Sequence, residues 1–249
     1  AFELLETREL PEIQATAGRY RHRKTGADVI SVICEDDNKS FSINFRTPPE
    51  DSTGVAHILE HSVLCGSAKY PSKEPFKELM KGSLNTFLNA FTYPDKTCYP
   101  VASRNETDFN NLVDVYLDAV LHPNITEQAF MQEGWHIEWP DADTEPQYKG
   151  VVFNEMKGAY SSPDGMVYEV AQQSLFPDIT YGQDSGGRPS AILDLTYDQF
   201  VAFHKQYYHP CNAMVFFYGD DDPAARLDQL ESYFKDFEAQ TPPPVVPRQ

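Results

Sequence analysis

The sequence predicts an α+β fold in which helices pack on an antiparallel-rich sheet. Segments that alternate apolar and polar residues, as half-buried strands do, are interleaved with segments of helical spacing. The first two strand-like segments are joined by a short turn, and a hairpin of this kind joins antiparallel strands. With 249 residues and 41% hydrophobic content, the chain can bury a full core.

Turn residues and apolar spacing define the elements in chain order. The clearest helix repeats apolar residues every three or four positions between Asp108 and Leu121. A later helix begins with a capping box formed by Thr196 and Gln199. The predicted elements are a hairpin over 18–34 that turns at 24–26, a strand over 40–46, a helix that ends at Gly66, a short helix over 75–81, two strands over 83–103, helices over 108–121, 126–135 and 196–207, and a strand over 213–218.

The end of the chain differs from the rest in composition. Residues 241–249 are rich in proline, which has no backbone N–H and cannot continue a helix. Such a segment behaves as an extended linker. We therefore expect residues 1–240 to form one domain and residues 241–249 to lead to a following domain.

Composition argues against several classes of protein. The formal net charge of −18 argues against nucleic-acid binding, which needs a concentrated basic face. No stretch approaches the roughly 18 consecutive apolar residues of a membrane span. Four scattered cysteines without a CxxC pair argue against a structural zinc knuckle and against a disulfide scaffold. The first residues resemble neither a signal nor a transit peptide, so we expect that an organellar protein would already have lost its targeting peptide.

The most informative motif is HxxEH, formed by His57, Glu60 and His61. On a helix, residues four apart lie on one face, so the two imidazoles can meet at one point. Two imidazoles and a third, carboxylate ligand leave a fourth position for water, which is the pattern of catalytic zinc. Glu60, beside the site and not itself a ligand, suits the role of general base.

A solvated helix face could carry two histidines and a glutamate without any chemical role. The flanking residues argue against that alternative, because Val55, Ile58, Leu59 and Val63 predict a mostly buried helix. Imidazoles and a carboxylate in a buried helix need partners, and a metal supplies them.

Longer stretches around this motif resemble the pitrilysin-like (M16) metallopeptidases, in which HxxEH is the reverse of the commoner HExxH. The resemblance covers essentially the whole chain, but only the first of the four homologous domains of a full family member. It is greatest to members that degrade cleaved targeting peptides in mitochondria and chloroplasts. The matching stretches are 45–49, 51–54, 57–61, 64–67, 70–71, 89–92, 132–135, 150–158 and 208–210.

The resemblance implies a Zn²⁺ ion held by His57, His61 and Glu155, with Glu60 as the base. Glu155 lies beside an apolar stripe on a second helix, where a carboxylate without a cation would be costly. A pairing of Glu155 with a nearby lysine is the alternative. The resemblance also implies that Glu133 lies near the zinc and orients a ligand, although it could equally be a surface carboxylate at a helix end.

The resemblance further implies how the protein holds a peptide and in which compartment of the cell it acts. Asn89, Ala90, Phe91 and Thr92 would belong to an edge strand that pairs with an extended peptide through main-chain hydrogen bonds. The alternative is that Phe91 is a core residue and Asn89 a turn residue. The implied location is the mitochondrial matrix or the chloroplast stroma, where an acidic surface would attract Arg-rich targeting peptides.

The resemblance also implies that this chain works with a C-terminal half, which would supply groups that hold the scissile carbonyl. We expect the chain alone to hydrolyse peptides weakly or not at all. A non-catalytic partner subunit of the same family is an alternative, although such relatives typically lack the intact triplet of His57, Glu60 and His61. A structural zinc protein is another, but it would leave Glu60 without a role.

Overall fold

Ten strands and nine α-helices lie within the part of the chain that the computed structural model describes, residues 1–72, 75–141 and 143–248. The strands are β1 (Phe2–Leu10), β2 (Ala15–His22), β3 (Asp28–Ile33), β4 (Lys39–Arg46), β5 (Asn85–Leu88), β6 (Phe91–Thr92), β7 (Lys96–Ser103), β8 (His136–Glu138), β9 (Gln147–Lys149) and β10 (Ala213–Gly219). The helices are α1 (Val55–Val63), α2 (Pro75–Gly82), α3 (Glu106–Leu121), α4 (Glu127–Glu133), α5 (Val151–Ala159), α6 (Pro163–Leu175), α7 (Pro189–Ile192), α8 (Tyr197–Tyr207) and α9 (Pro223–Phe234).

The main sheet is antiparallel-rich, as the sequence predicts. Its order is β1-β2-β3-β10-β4-β7-β5, and the two-residue β6 also pairs with β7. β10 is parallel to β3 and antiparallel to β4, so a strand from late in the chain is inserted between two early ones. A parallel pair requires a long crossover, and the helices up to α8 lie in that connection. The predicted α+β class is confirmed.

The core lies between the helices and one face of the sheet. In β4, Phe41, Ile43 and Phe45 are fully buried, while the alternate residues Ser42 and Asn44 are partly exposed. α3 packs against β4 and β7. Burial of each large apolar side chain stabilises the fold by roughly 1.5–3 kcal/mol, so this alternation determines the register of the strand.

Most of the predicted elements are present, with differences at their ends. The hairpin, the strand β4, the short helix α2, and the helices α3, α4 and α8 lie where the sequence predicts them, and both hydrogen bonds of the capping box form. Residues 83–103 hold three strands rather than two, because the brief β6 pairs with β7 separately from β5. α1 ends at Val63, short of Gly66, whose φ of +123° lies outside any helix.

Six elements have no sequence prediction: β1, β8, β9, α6, α7 and α9. The interior residues of β1 are all exposed, so they show none of the apolar alternation that marks a half-buried strand. α6 has no buried residue among those described, so it lacks the buried stripe of an amphipathic helix. Residues 238–248 contain no helix or strand, in keeping with the expected linker, of which residue 249 lies outside the described residues.

The site described below lies where α1, α4 and α5 meet beside β6. α1 packs against α4, α8 and β6, and α4 packs against α5. Within the described residues, no helix combines the length and the apolar character needed to cross a membrane.

Candidate metal centre

The HxxEH motif lies on α1, as the sequence predicts. Seven of the nine residues of this helix are buried, because its apolar residues pack into the core cluster. His57 and His61 lie one turn apart on the same face, and their ring centroids are 5.0 Å apart. The helix thus brings two imidazoles together at the surface of the core.

Glu155 reaches the same point from α5. Its Oε2 lies 3.7 Å from Nε2 of His57 and 3.9 Å from Nε2 of His61. One potential ligand atom from each of the three residues lies within 4.8 Å of the others. The structure therefore brings together the three residues that the family resemblance implies as ligands.

The expected environment of Glu155 differs from the one observed. Its side chain is 56% exposed, so burial beside an apolar stripe does not explain its position. The lysine alternative is not supported either. Lys149 lies 3.9 Å from Glu138, and the ammonium of Lys157 lies over the ring of Phe153. Proximity to the two histidines is thus what distinguishes Glu155.

The orientation of His57 is determined by a backbone carbonyl. Its Nδ1 lies 3.0 Å from the carbonyl oxygen of Gly186. A carbonyl can only accept a hydrogen bond, so Nδ1 carries the proton. In the neutral imidazole, Nε2 then keeps its lone pair and points toward Glu155 and His61.

The orientation of His61 is determined by Glu133. Nδ1 of His61 lies 3.2 Å from Oε2 of Glu133, whose other oxygen accepts a 2.7 Å hydrogen bond from the amide of Gln132. Glu133 is the last residue of α4 and is only 6% exposed. It is therefore a buried partner of a histidine and not a surface carboxylate.

The electrostatics of this pair follow from its burial and its hydrogen bond. Burial alone would lower the pKa of His61, but the hydrogen bond to Glu133 and the charges of Glu60, Glu133 and Glu155 outweigh it and raise the pKa. Burial alone would raise the pKa of Glu133, but the hydrogen bonds from His61 and Gln132 outweigh burial and lower the pKa. The acidic surroundings therefore favour a cation at this point.

Glu60 is held apart from the three-residue cluster. It is 9% exposed, and its Oε2 accepts a 2.6 Å hydrogen bond from the hydroxyl of Thr92 on β6. A carboxylate that is held by a hydroxyl and lies on the same helix as the two histidines is suited to accept a proton at the site. Its contact with Thr92 has no counterpart in the sequence prediction, which assigns Thr92 to peptide binding.

The segment predicted to hold a peptide lies beside α1. β6 pairs with β7 along one edge, and in the described part of the chain no strand pairs with its other edge. Phe91 is 37% exposed and stacks on Phe87, so it is not a core residue. Asn89 accepts a hydrogen bond from Tyr116 through its carbonyl, and the adjacent Ala90 is buried.

A cleft of about 350 Å³ opens next to His61. Its wall is mostly apolar, with a few polar groups close to the metal centre, as is common in ligand-binding clefts. The lining residues are Glu60, His61, Leu64, Cys65, Phe76, Asn89, Ala90, Gln132, Glu133 and Val151.

The donor set fits a zinc ion. In tetrahedral zinc sites the nitrogen and oxygen ligands lie about 2.0–2.2 Å from the metal, which places them roughly 3.4 Å from one another. The separations of 3.7 and 3.9 Å are slightly larger. All three potential ligand atoms lie within 4.8 Å of one another, so small rotations of the histidine and Glu155 side chains would bring them to this spacing. Both histidines also have Nδ1 bonded to the protein, as metal-binding histidines usually do.

Comparison with known proteins identifies the family. Residues 46–162 match the family model "Insulinase (Peptidase family M16)", and this range contains every candidate ligand. Residues 194–249 match the model "Peptidase M16 inactive domain" and contain none of them. Together the two models match more than half of the chain.

Relatives and solved structures agree with these models. Presequence protease 1, chloroplastic/mitochondrial, of Arabidopsis thaliana is 59% identical over 97% of this chain and 23% of its own length. Protein HypA of Clostridium perfringens is also 59% identical, over 95% of this chain and 25% of its own length. The chain thus spans about a quarter of the length of these curated relatives. The crystal structure of pitrilysin matches 94% of the chain with a TM-score of 0.72 at 18% identity, which shows the shared fold. The chain belongs to peptidase family M16.

Proposed function

We propose that this chain is the zinc-binding domain of a metalloendopeptidase that degrades unstructured peptides. The observation that carries the proposal is the cluster of His57, His61 and Glu155, in which both imidazoles direct Nε2 toward one carboxylate oxygen. Two histidines and one glutamate form a typical ligand set of catalytic zinc.

The catalytic chemistry divides between the metal and Glu60. When bound, zinc supplies a Lewis acid that lowers the pKa of water and polarises a carbonyl. Glu60 takes the proton from the attacking water and returns it to the leaving amine. Thr92 holds one oxygen of Glu60 in place, so the carboxylate is oriented before the substrate arrives.

The substrate we propose is an extended peptide such as a cleaved mitochondrial or chloroplast targeting presequence. The free edge of β6 can pair with a peptide backbone, which gives binding with little dependence on sequence. The name of the Arabidopsis relative supports presequences and an organellar location, the matrix or the stroma. The equally identical relative is bacterial, so degradation of peptides is the more general part of the proposal.

We also propose that the remaining three-quarters of a longer protein completes the site. Residues 1–240 would be its first domain, and residues 241–249 the linker to the next. α6 exposes Met166, Val167 and Val170, and apolar surface of this kind is usually covered in the assembled protein. The missing part would supply groups that stabilise the oxyanion, each typically worth about 10²- to 10³-fold in rate. The chain alone is therefore proposed to be weakly active or inactive.

Metal analysis and peptide hydrolysis of single variants test the proposal. His57→Ala, His61→Ala and Glu155→Ala should each lose zinc, because each removes one of three protein ligands. Glu60→Gln should keep zinc and fold but lose hydrolysis by about 10²- to 10⁴-fold, measured in the longer protein that contains this chain.

Each contrary outcome identifies a different error. Full zinc occupancy in Glu155→Ala would exclude it as a ligand and point to Glu133. Loss of zinc in Glu60→Gln would make Glu60 a ligand instead of the base. A longer protein that binds zinc in these positions and cleaves no peptide would be the non-catalytic family member.

A further inference from the structure

Taking His57 and Glu155 as metal ligands, as in the function proposed above, we propose that the loop 183–188 is a positioning device for the metal centre. The loop holds the imidazole of His57 and ties it to the helix that carries Glu155. It connects these two ligands, which lie far apart in the sequence, through the carbonyl of Gly186 and the carboxylate of Asp184. Two further glycines, described below, allow its close approach to α1.

The contact with His57 is made by the middle of the loop. The carbonyl of Gly186 accepts the Nδ1–H of His57 at 3.0 Å. The loop is bent at this point by Asp184, whose Oδ1 accepts a hydrogen bond from the Gly186 N–H at 2.9 Å. A side-chain oxygen that accepts from the backbone two residues later stabilises a local turn. Asp184 therefore sets the direction of the Gly186 carbonyl.

The same carboxylate reaches the helix of the third ligand. Oδ2 of Asp184 accepts a 2.6 Å hydrogen bond from the hydroxyl of Tyr160, the residue that follows α5. Met156, next to Glu155, lies directly against Gly186, since a Cβ at this glycine would be 3.0 Å from its terminal methyl. One loop thus contacts both α5 and His57 of α1.

The loop is also anchored to the segment that leads into α1. The Asp184 N–H donates to the hydroxyl of Ser52 at 3.1 Å, and the Arg188 N–H donates to the carbonyl of Ser52 at 2.9 Å. Ser52 therefore joins both ends of the loop to the chain just before α1. Movement of the loop relative to α1 would break these contacts together.

Two glycines allow the loop to approach α1 this closely. Gly54, the residue before α1, has φ +71°, and Gly187 has φ +100°. A Cβ on Gly54 would lie 2.8 Å from Cα of Gly187, and a Cβ on Gly187 would lie 2.9 Å from Cα of Gly54. Any other residue at either position would be strained by its backbone and would push the loop away. The Gly186 carbonyl would then move away from His57.

The consequence for the metal is a single tautomer of His57. Without an acceptor at Nδ1, a neutral imidazole can place its proton on either nitrogen and rotate. Groups that orient metal-binding histidines typically contribute 10- to 100-fold to metal affinity. We therefore expect the loop to affect zinc affinity more than the stability of the metal-free fold.

The test measures the zinc dissociation constant by competition with a chelator, and thermal unfolding in excess chelator. Asp184→Ala should weaken zinc binding about 10- to 100-fold, with metal-free unfolding close to that of wild type. Asp184→Asn should recover part of the affinity, because its amide oxygen can still accept from Gly186. Gly187→Ala should weaken binding at least as much.

Matched controls are Asp236→Ala, an exposed aspartate after α9, and Gly82→Ala, where a Cβ would meet no atom within 4 Å. Both should bind zinc like the wild type. Unchanged zinc affinity in Asp184→Ala would overturn the positioning role. A loss of zinc affinity that is fully explained by a lower melting temperature of the metal-free protein would overturn it too. If the wild type binds zinc and His57→Ala does not, the proposed function stands in either case.

Discussion

At the scale of single residues, the two histidines and Glu60 each have one fixed contact to the protein and one atom that faces the site. Each imidazole bonds the protein through Nδ1 and leaves Nε2 toward the shared point. Glu60 has one oxygen bonded to Thr92, and among the described residues its other oxygen has no hydrogen bond. Because the fixed contact restricts rotation, less entropy is lost when the free atom binds or reacts.

Thr92→Val should lower peptide hydrolysis by roughly 10-fold and leave zinc content unchanged. Valine has nearly the same shape as threonine but no hydroxyl, so Oε2 of Glu60 loses its 2.6 Å partner. Thr92→Ser keeps a hydroxyl and should recover most of the rate. The expected change is in kcat, since the main chain of β6 would still pair with the peptide. A rise in KM alone would instead assign Thr92 to peptide binding, as the sequence predicts.

What the sequence could predict at this scale depends on the type of group. His57, Glu60 and His61 could be predicted as one site because helical geometry brings residues three and four apart together. Glu155 came only from the family resemblance, since no local rule relates two distant helices. The Gly186 carbonyl could not be predicted, because every residue has one and only the fold selects which carbonyl meets an imidazole.

At the scale of elements, the site depends on how closely α5 approaches the end of α4. α5 begins after Gly150, which has φ +154°. A Cβ at this position would lie 1.9 Å from the carbonyl oxygen of Gly134, which follows α4. Glycine is therefore required for this approach. The contact brings Glu133, at the end of α4, and Glu155, on α5, to the same side of α1.

Gly150→Ala should lower the free energy of unfolding by about 1–3 kcal/mol and weaken zinc binding, because α5 would have to move away from α4. Gly158→Ala in the same helix is the control. A Cβ there would meet no atom within 4 Å, so this change should stabilise the helix by about 0.5–1 kcal/mol. Chemical denaturation and metal analysis of both variants measure the effects. Equal stability of the two variants would contradict the close approach.

The elements predicted from the sequence are those with a buried face. β4 and α3 have clear apolar spacing because one side of each contacts the core. β1 and α6 lack that spacing because their side chains are exposed. β6 is too short for a period to be visible, yet it carries Thr92 and the free edge. An element beside the chemistry is thus among those that the sequence specifies least.

At the scale of the whole molecule, the metal centre draws on much of the chain. The contacts that hold it run from Ser52 before α1 to Arg188 at the end of the loop, and the sheet joins β10 to the early strands β3 and β4. The stability of the fold is therefore linked to the geometry of the site. Partly or fully buried histidines far from the site influence that stability through pH.

His204 on α8 is the clearest case. Burial lowers its pKa to about 4, from an ordinary value of 6.5, despite the 3.0 Å hydrogen bond to the Val120 carbonyl. His122 lowers the pKa further by charge, and Tyr208 stacks on the ring. Between pH 6.5 and about 4 the unfolded chain binds a proton here that the folded chain does not. Stability should therefore fall as pH decreases through this window, and this residue should contribute no slope above it.

His204→Gln isolates this contribution, because glutamine can donate to the Val120 carbonyl and does not titrate. The free energy of unfolding of both proteins, measured by urea denaturation in excess chelator, should differ by a pH-dependent amount. As the pH falls from about 7.5 to 4.5, the free energy of unfolding of the variant should rise relative to that of the wild type, by on the order of 3 kcal/mol at most. Other buried histidines, such as His22 and His209, also have lowered pKa values but are the same in both proteins. A difference that stays constant with pH would show that His204 is not held neutral by burial.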